Sequence, residues 1–287
     1  MKCRIALAQV DAVLGDPARN IALHCEMAER ARQAGAQMVI FPELSLTGYS
    51  VKDLNWELAI RVDAPPDMYA PLLEQSRGIS ILAGGIEEGE SFGIYNSAFL
   101  CEDGRMRSVH RKVYPPTYGM FEEMRYFSRG NAVRAVDTRI GRIGVLVCED
   151  LWHIALPYLL MLDGAQVIVS LTASPTRLGG DAGTLRSSEV NGEHHRTYAR
   201  LLSVYLAFCN RVGFEDGVNF WGGSAVIGPS GDAKASARLF ETDLVSADLD
   251  DGEIRRARRF SRHAIDEDPD LVMRELSRML RSGSGLP

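Results

Sequence analysis

Lysine is scarce in this 287-residue chain: Lys2, Lys52, Lys112 and Lys234 are the only lysines among 32 basic residues. Cysteine is also thin. Cys3, Cys25, Cys101, Cys148 and Cys209 are odd in number and no two are close, which excludes a disulfide framework and suits a reducing compartment. There is no long apolar run: the longest stretch, Ile154 to Ala173, is broken by Asp163-Gly164, so it reads as a helix and a strand, not a membrane span. The start, Met1-Lys2-Cys3-Arg4, is too charged for a signal peptide. A cytoplasmic protein without a membrane partner is expected. A net charge of −6 argues against a nucleic-acid partner. No glycine-rich phosphate loop is present. No metal set stands out either: His194 and His195 are adjacent, whereas a helical metal pair wants a spacing of three or four, so both are expected on a solvated helix face.

What is present is the composition of an ordinary globular protein, 46% hydrophobic and 24% charged. Strand and helix patterns alternate, which predicts an α/β fold. Met38-Val39-Ile40-Phe41 and Ile143 to Val147 read as buried strands, and Asp16-Pro17 opens a helix that stops at Gly35. Asp103-Gly104 turns a hairpin between runs at Asn96–Leu100 and Met106–Val113. No low-complexity linker divides the chain, so one domain is expected over residues 1–281, with 282–287 as a disordered tail.

Three residues carry candidate chemistry. Cys148 follows the apolar run Ile143 to Val147 and precedes a helical pattern, which places it on a strand-to-helix turn. Such a turn lifts a nucleophile out of the core and leaves the next backbone N–H facing an oxyanion; the plainer alternative is a small buried core residue. Glu43, in Phe41-Pro42-Glu43-Leu44, ends a strand, where catalytic groups of α/β sheets gather; taken alone it reads better as a solvated turn glutamate. Lys112 lies in His110-Arg111-Lys112-Val113, and a lysine kept amid so much arginine marks a place for a compact ammonium; the alternative is a surface strand residue. A rival Cys148–His153 pair is disfavoured by the turn between them.

Phe41-Pro42-Glu43-Leu44, His110-Arg111-Lys112-Val113 and Val147-Cys148-Glu149-Asp150, in that order, resemble the nitrilase (carbon–nitrogen hydrolase) superfamily, and the likeness runs from Cys3 to about Leu280. The resemblance implies a four-layer α-β-β-α sandwich that pairs into homodimers or larger homo-oligomers. It implies a Glu-Lys-Cys triad that cleaves small amides through a thioester, without a cofactor. Carried over, Glu43 is the general base, Lys112 stabilises the oxyanion and favours the thiolate, Cys148 attacks, and Glu123 supports the lysine. Within the superfamily, Tyr118-Gly119-Met120-Phe121, Cys148-Glu149-Asp150-Leu151-Trp152 and Thr172-Ala173-Ser174-Pro175 look most like the glutaminase domain of glutamine-dependent NAD synthetases. That likeness implies that Tyr118, Glu149, Trp152 and Ser174 bind substrate. No ATP-using synthetase domain is expected in this sequence. The leading expectation is therefore an amidohydrolase acting on a small primary carboxamide. A glutaminase subunit feeding ammonia to a separate synthetase and a non-catalytic binding pseudo-enzyme are the alternatives.

Overall fold

Alternation along the strands explains how the molecule is layered. In β1 (Lys2–Gln9), Ile5 and Leu7 face one way and Ala6 and Ala8 the other, and all four are buried. A strand buried on both faces belongs in the middle of a sandwich with a helix layer outside it. The structure is a computed structural model that describes residues 1–176 and 185–282. Residues 177–184 and 283–287, which include all but Ser282 of the expected tail, lie outside the described residues.

The first half continues through α1 (Pro17–Gln33), β2 (Met38–Ile40), α2 (Asn55–Leu58), α3 (Ala70–Gln75), β3 (Ser80–Glu88), β4 (Ile94–Glu102), β5 (Arg105–Arg111) and α4 (Glu123–Tyr126). The second half runs β6 (Ala135–Thr138), β7 (Gly141–Val147), α5 (Ala155–Leu162), β8 (Val167–Thr172), α6 (Arg186–Leu202) and β9 (Tyr205–Asn210). It ends with β10 (Val212–Glu215), β11 (Val218–Trp221), β12 (Ala225–Ile227), β13 (Ala233–Ser236), β14 (Asp243–Asp250), α7 (Asp251–Phe260) and α8 (Pro269–Arg281). Among the described residues no helix is long and apolar enough to cross a membrane.

Two six-stranded sheets form, ordered β14-β1-β2-β3-β4-β5 and β13-β12-β9-β8-β7-β6. The central triplets β1-β2-β3 and β7-β8-β9 are parallel. Between the sheets, Ile5, Leu7, Ile40 and Leu82 pack against Val145, Val147, Val169 and Leu171. Outside the first sheet, Ala6, Ala8 and Phe41 pack on α1 through Ile21, Met27 and Ala28. Outside the second, Leu146, Ile168 and Leu206 pack on α5 and α6 through Leu156, Leu160 and Ala199. The result is the four-layer α-β-β-α sandwich.

The structure departs from the sequence expectations in places. The helical pattern expected from Trp152 begins instead as a 3₁₀ turn over Cys148–Trp152, and α5 starts at Ala155. His195 is buried against the Phe208 ring, with centroids 4.4 Å apart, and is not on a solvated face. Burial pushes its imidazole down to about 3.

Candidate active site

The ends of β2, β5, β7 and β8 converge, and each delivers one group. After β2 the chain passes through Phe41-Pro42 to Glu43 and Leu44, the latter at φ +49°. Gly84 on β3 lets this turn lie flat on the sheet, since a Cβ there would stand 2.6 Å from the Pro42 carbonyl oxygen and 2.8 Å from the Glu43 carbonyl carbon. Glu43 is therefore buried, not a solvated turn residue. Its carboxylate receives donors alone: Lys112 Nζ at 2.7 Å and Asn96 Nδ2 at 2.8 Å on Oε1, and the Ala173 N–H at 2.9 Å on Oε2.

Lys112 directly follows β5, and its side chain is wholly buried; the surface-strand alternative does not hold. Its ammonium donates to Glu43 Oε1 and to Glu123 Oε1, each at 2.7 Å. An ammonium has three N–H groups, so one remains for another acceptor. Burial lowers the lysine pKa, but Glu123, Glu43 and Cys148 together hold it well above its usual value. Glu123, in α4, also accepts from the Tyr49 hydroxyl at 2.6 Å. Burial pushes its carboxyl up to about 7, against the pull of Lys112 and with the push of Glu43.

Cys148 stands at the end of β7 with φ +48°, a left-handed conformation that a non-glycine residue adopts at a cost and that recurs at functional turns. The 3₁₀ turn that follows places the Glu149 N–H among the first donors of a helical turn, which have no partner within it. Burial and the Glu43 charge push the thiol well above its usual value, and Lys112 pulls it down without reversing the sign. Lys112 thus favours the thiolate, as expected, but burial and the Glu43 carboxylate outweigh it.

Cys148 opens into a cavity of about 200 Å³. Tyr118, Glu149, Trp152 and Ser174, the residues implied as substrate contacts, all line it, together with Arg186 and Asn191. The Tyr118 hydroxyl donates to Glu149 Oε2 at 2.9 Å, and Ser174 Oγ accepts from Trp221 Nε1 at 3.1 Å. The His153 ring stacks on Tyr114 at 3.4 Å. Among the described residues no cluster of three or more His, Cys, Asp or Glu side chains is placed to hold a metal ion.

Sequence reasoning missed Asn96, Tyr49 and the Ala173 N–H. Asn96 sits mid-strand in β4 with no motif around it, and the Ala173 N–H is backbone. Tyr49 lies outside the motifs that carry the resemblance.

A buried ammonium between two carboxylates beside a cysteine on a strained turn is an arrangement for acyl chemistry, and comparison with known proteins agrees. Residues 4–259 match the family model for carbon-nitrogen hydrolase. The chain belongs to the carbon–nitrogen hydrolase family. Among its relatives are the glutamine-dependent NAD(+) synthetases of Thermotoga maritima, 32% identical over 87% of this chain and 42% of that protein, and of Rhodobacter capsulatus, 32% identical over 87% and 44%. The chain thus spans less than half the length of these relatives. Among solved structures, the glutamine-dependent NAD+ synthetase of Acinetobacter baumannii superposes with a TM-score of 0.80 at 29% identity, covering 88% of this chain and 47% of the other. A variant of an amidase from Nesterenkonia sp. AN1 superposes at 0.76 with 28% identity, covering 95% and 96%, and carries the acetamide moiety of fluoroacetamide on its active site cysteine. This carbon–nitrogen hydrolase therefore resembles both synthetases that carry a second half and an amidase of its own length.

Proposed function

We propose that the protein is a thiol-dependent amidohydrolase that converts a small primary carboxamide into its acid and ammonia. The observation that carries this reading is Lys112, fully buried and held at 2.7 Å by both Glu43 and Glu123. Burying an ammonium and two carboxylates costs several kcal/mol per ion before pairing offsets it, and a shared site beside a cysteine gives that arrangement a use. Glu43 takes the thiol proton as sulfur attacks the carbonyl carbon. The carbonyl oxygen becomes an oxyanion facing the free N–H of Lys112 and the Glu149 backbone N–H. As the C–N bond breaks, Glu43 returns the proton to the nitrogen and ammonia leaves a thioester on Cys148. Water then gives a proton to Glu43 and attacks the thioester, releasing the acid and restoring the thiol.

A second reading is that of a glutaminase that supplies ammonia to a separate synthetase. The lining of the cavity favours it. Arg186 and Glu149 both line it, a cation and an anion to match a substrate that bears its own carboxylate and ammonium. Ammonia release from a panel led by glutamine, asparagine and propionamide separates the two. Glutamine preferred at least tenfold in kcat/KM supports the glutaminase; comparable values leave the general amidase. Either reading requires Cys148→Ala to lose turnover by about 10³-fold or more, as removal of a nucleophile does, and full turnover in that variant overturns both.

We also propose that the protein works as a homodimer or larger homo-oligomer. An apolar cleft of about 610 Å³ runs between α5, α6 and α8, lined by Ile154, Tyr158, Leu201, Val272 and Leu276. Ile154 is 75% exposed and Leu201 56%. An exposed apolar face of this kind marks an interaction surface, and a second copy of the chain is the occupant that a homo-oligomer supplies. Sedimentation should give at least a dimer, and Leu201→Glu should give a monomer; a wild-type monomer contradicts the proposal.

A further inference from the structure

Asp150 is fully buried, and both of its oxygens receive N–H groups. Oδ1 accepts from the backbone N–H of Val113 at 2.9 Å and of Tyr114 at 3.0 Å. Oδ2 accepts from the Val147 N–H at 3.1 Å and from His110 Nε2 at 2.9 Å. Three of these partners, His110, Val113 and Tyr114, flank Lys112 in the chain; the fourth, Val147, precedes Cys148. The two groups belong to different sheets, because β5 is an edge strand of the first and β7 lies in the second.

Besides the Ala173 N–H on Glu43, the sheets meet in this region through the apolar core that Leu82, Ala98 and Leu100 share with Val145. Apolar contacts are non-directional and tolerate small slides of one layer over another. A carboxylate with four N–H donors does not, because each bond has a preferred length and angle. A cavity of about 240 Å³ lies beside His110, lined by Leu100, Val109, Val136 and Val145, so packing on that side is loose and gives little resistance to such a slide. The stack of the His153 ring on Tyr114 joins the same two segments a second time, at the mouth of the site.

We propose that Asp150 is a positioning residue that fixes the separation of Lys112 and Cys148 by tying the lysine loop of one sheet to the nucleophile turn of the other. His110 acts as its side-chain donor. The catalytic meaning of that separation rests on the amidohydrolase reading, but the separation itself is testable without a substrate. Glu43 is bonded to Lys112 on one side and, across the sheets, to the Ala173 N–H on the other, so a slide withdraws the cation from the sulfur and pulls the base out of the position these two partners set. The charged and titratable groups acting on the Cys148 thiol are Glu43, Lys112 and Glu123, all on the first-sheet side.

In Asp150→Asn one oxygen becomes an NH₂ group. Placed at Oδ1 it would confront the Val113 and Tyr114 N–H groups. Placed at Oδ2 it confronts the Val147 N–H, while His110 can switch tautomer and accept. The nucleophile turn is the side released. The experiment is alkylation of Cys148 by iodoacetamide as a function of pH, in wild type, Asp150→Asn, His110→Leu and His110→Gln, with Tm, kcat and KM beside it. In wild type, Glu43 takes the thiol proton and holds a shoulder in the rate near neutral pH. In Asp150→Asn that shoulder is lost, and the rate climbs about tenfold per pH unit, as for an unassisted thiol. The kcat falls roughly 10- to 100-fold, the cost of a misplacement of about 1 Å, while KM changes little. His110→Leu shows the same loss of shoulder, and His110→Gln, which keeps an N–H donor, restores it. If Asp150→Asn does not fold, the His110 pair decides. Variants whose Tm drops while the alkylation profile and kcat stay at wild type overturn the proposal. If wild type turns over no amide, the alkylation curves still decide the role of Asp150, and only the amidohydrolase reading falls.

Discussion

Glu123 accepts from Lys112 and Tyr49 through Oε1, while its Oε2 is buried without a hydrogen-bond partner. A buried oxygen left without a donor is costly to ionise, and burial pushes this carboxyl up to about 7, with Lys112 opposing and Glu43 reinforcing the shift. An acid whose pKa is higher folded than unfolded stabilises the fold fully below its unfolded value. That contribution is lost as pH rises through the folded value. For Glu123 the window runs from 4.5 to about 7. The Tm of wild type relative to Glu123→Gln is therefore expected to fall between these two pH values and to level off above them. A difference that stays flat across the window contradicts the assigned environment. At this scale the sequence was legible where residue type was rare: a lysine amid arginines and a cysteine at a strand end pointed to Lys112 and Cys148. Glu43 read as solvated because its burial is supplied by residues far away in sequence, Asn96 and Ala173. The pull of Lys112 on the thiol was legible, but the larger push of desolvation on Cys148 was not, because burial is supplied by the fold.

The parallel strands were the most legible elements. Strands buried on both faces are continuous apolar runs, and the expected runs Met38–Phe41 and Ile143–Val147 coincide with the strands Met38–Ile40 and Gly141–Val147 to within a residue or two. The β10–β11 hairpin went unseen although Asp216-Gly217 is a strong hairpin signal, with φ of +49° and +79°. Its strands are short and half buried, so they lack a clear period. This ribbon matters to the site. Glu215 accepts the Tyr49 N–H at 2.9 Å and pairs with Arg211 at 2.7 Å, and Tyr49 reaches Glu123. Gly48 is the hinge of this contact: at φ +83° a Cβ would lie 2.6 Å from Leu14 Cα and 2.9 Å from Glu215 Oε2. Gly48→Ala is expected to cost about 1–3 kcal/mol of stability through overpacking and strain. It should also lower kcat by displacing Tyr49. A variant with unchanged melting and turnover would show that the ribbon does not support the site.

Across the whole molecule, the sandwich brings the ends of strands from both sheets to one rim, and the site is assembled across the gap between them. Glu43 and Lys112 come from the first sheet, and Cys148 and the Ala173 N–H from the second. The layer order followed from the family resemblance. The cross-sheet hydrogen bonds at the site did not, because they join residues from 36 to 130 positions apart that no local pattern relates. The apolar cleft between α5, α6 and α8 includes Trp152, which also lines the Cys148 cavity, so covering that face and shaping the site are linked. The account as a whole stands on a covalent intermediate at Cys148. The most direct measurement is the intact mass of the protein, acid-quenched during turnover of the best amide found. The account predicts an adduct equal to the amide minus ammonia, mapped to Cys148 and absent from Cys148→Ala. Steady ammonia release with no adduct, undiminished in Cys148→Ala, would contradict it.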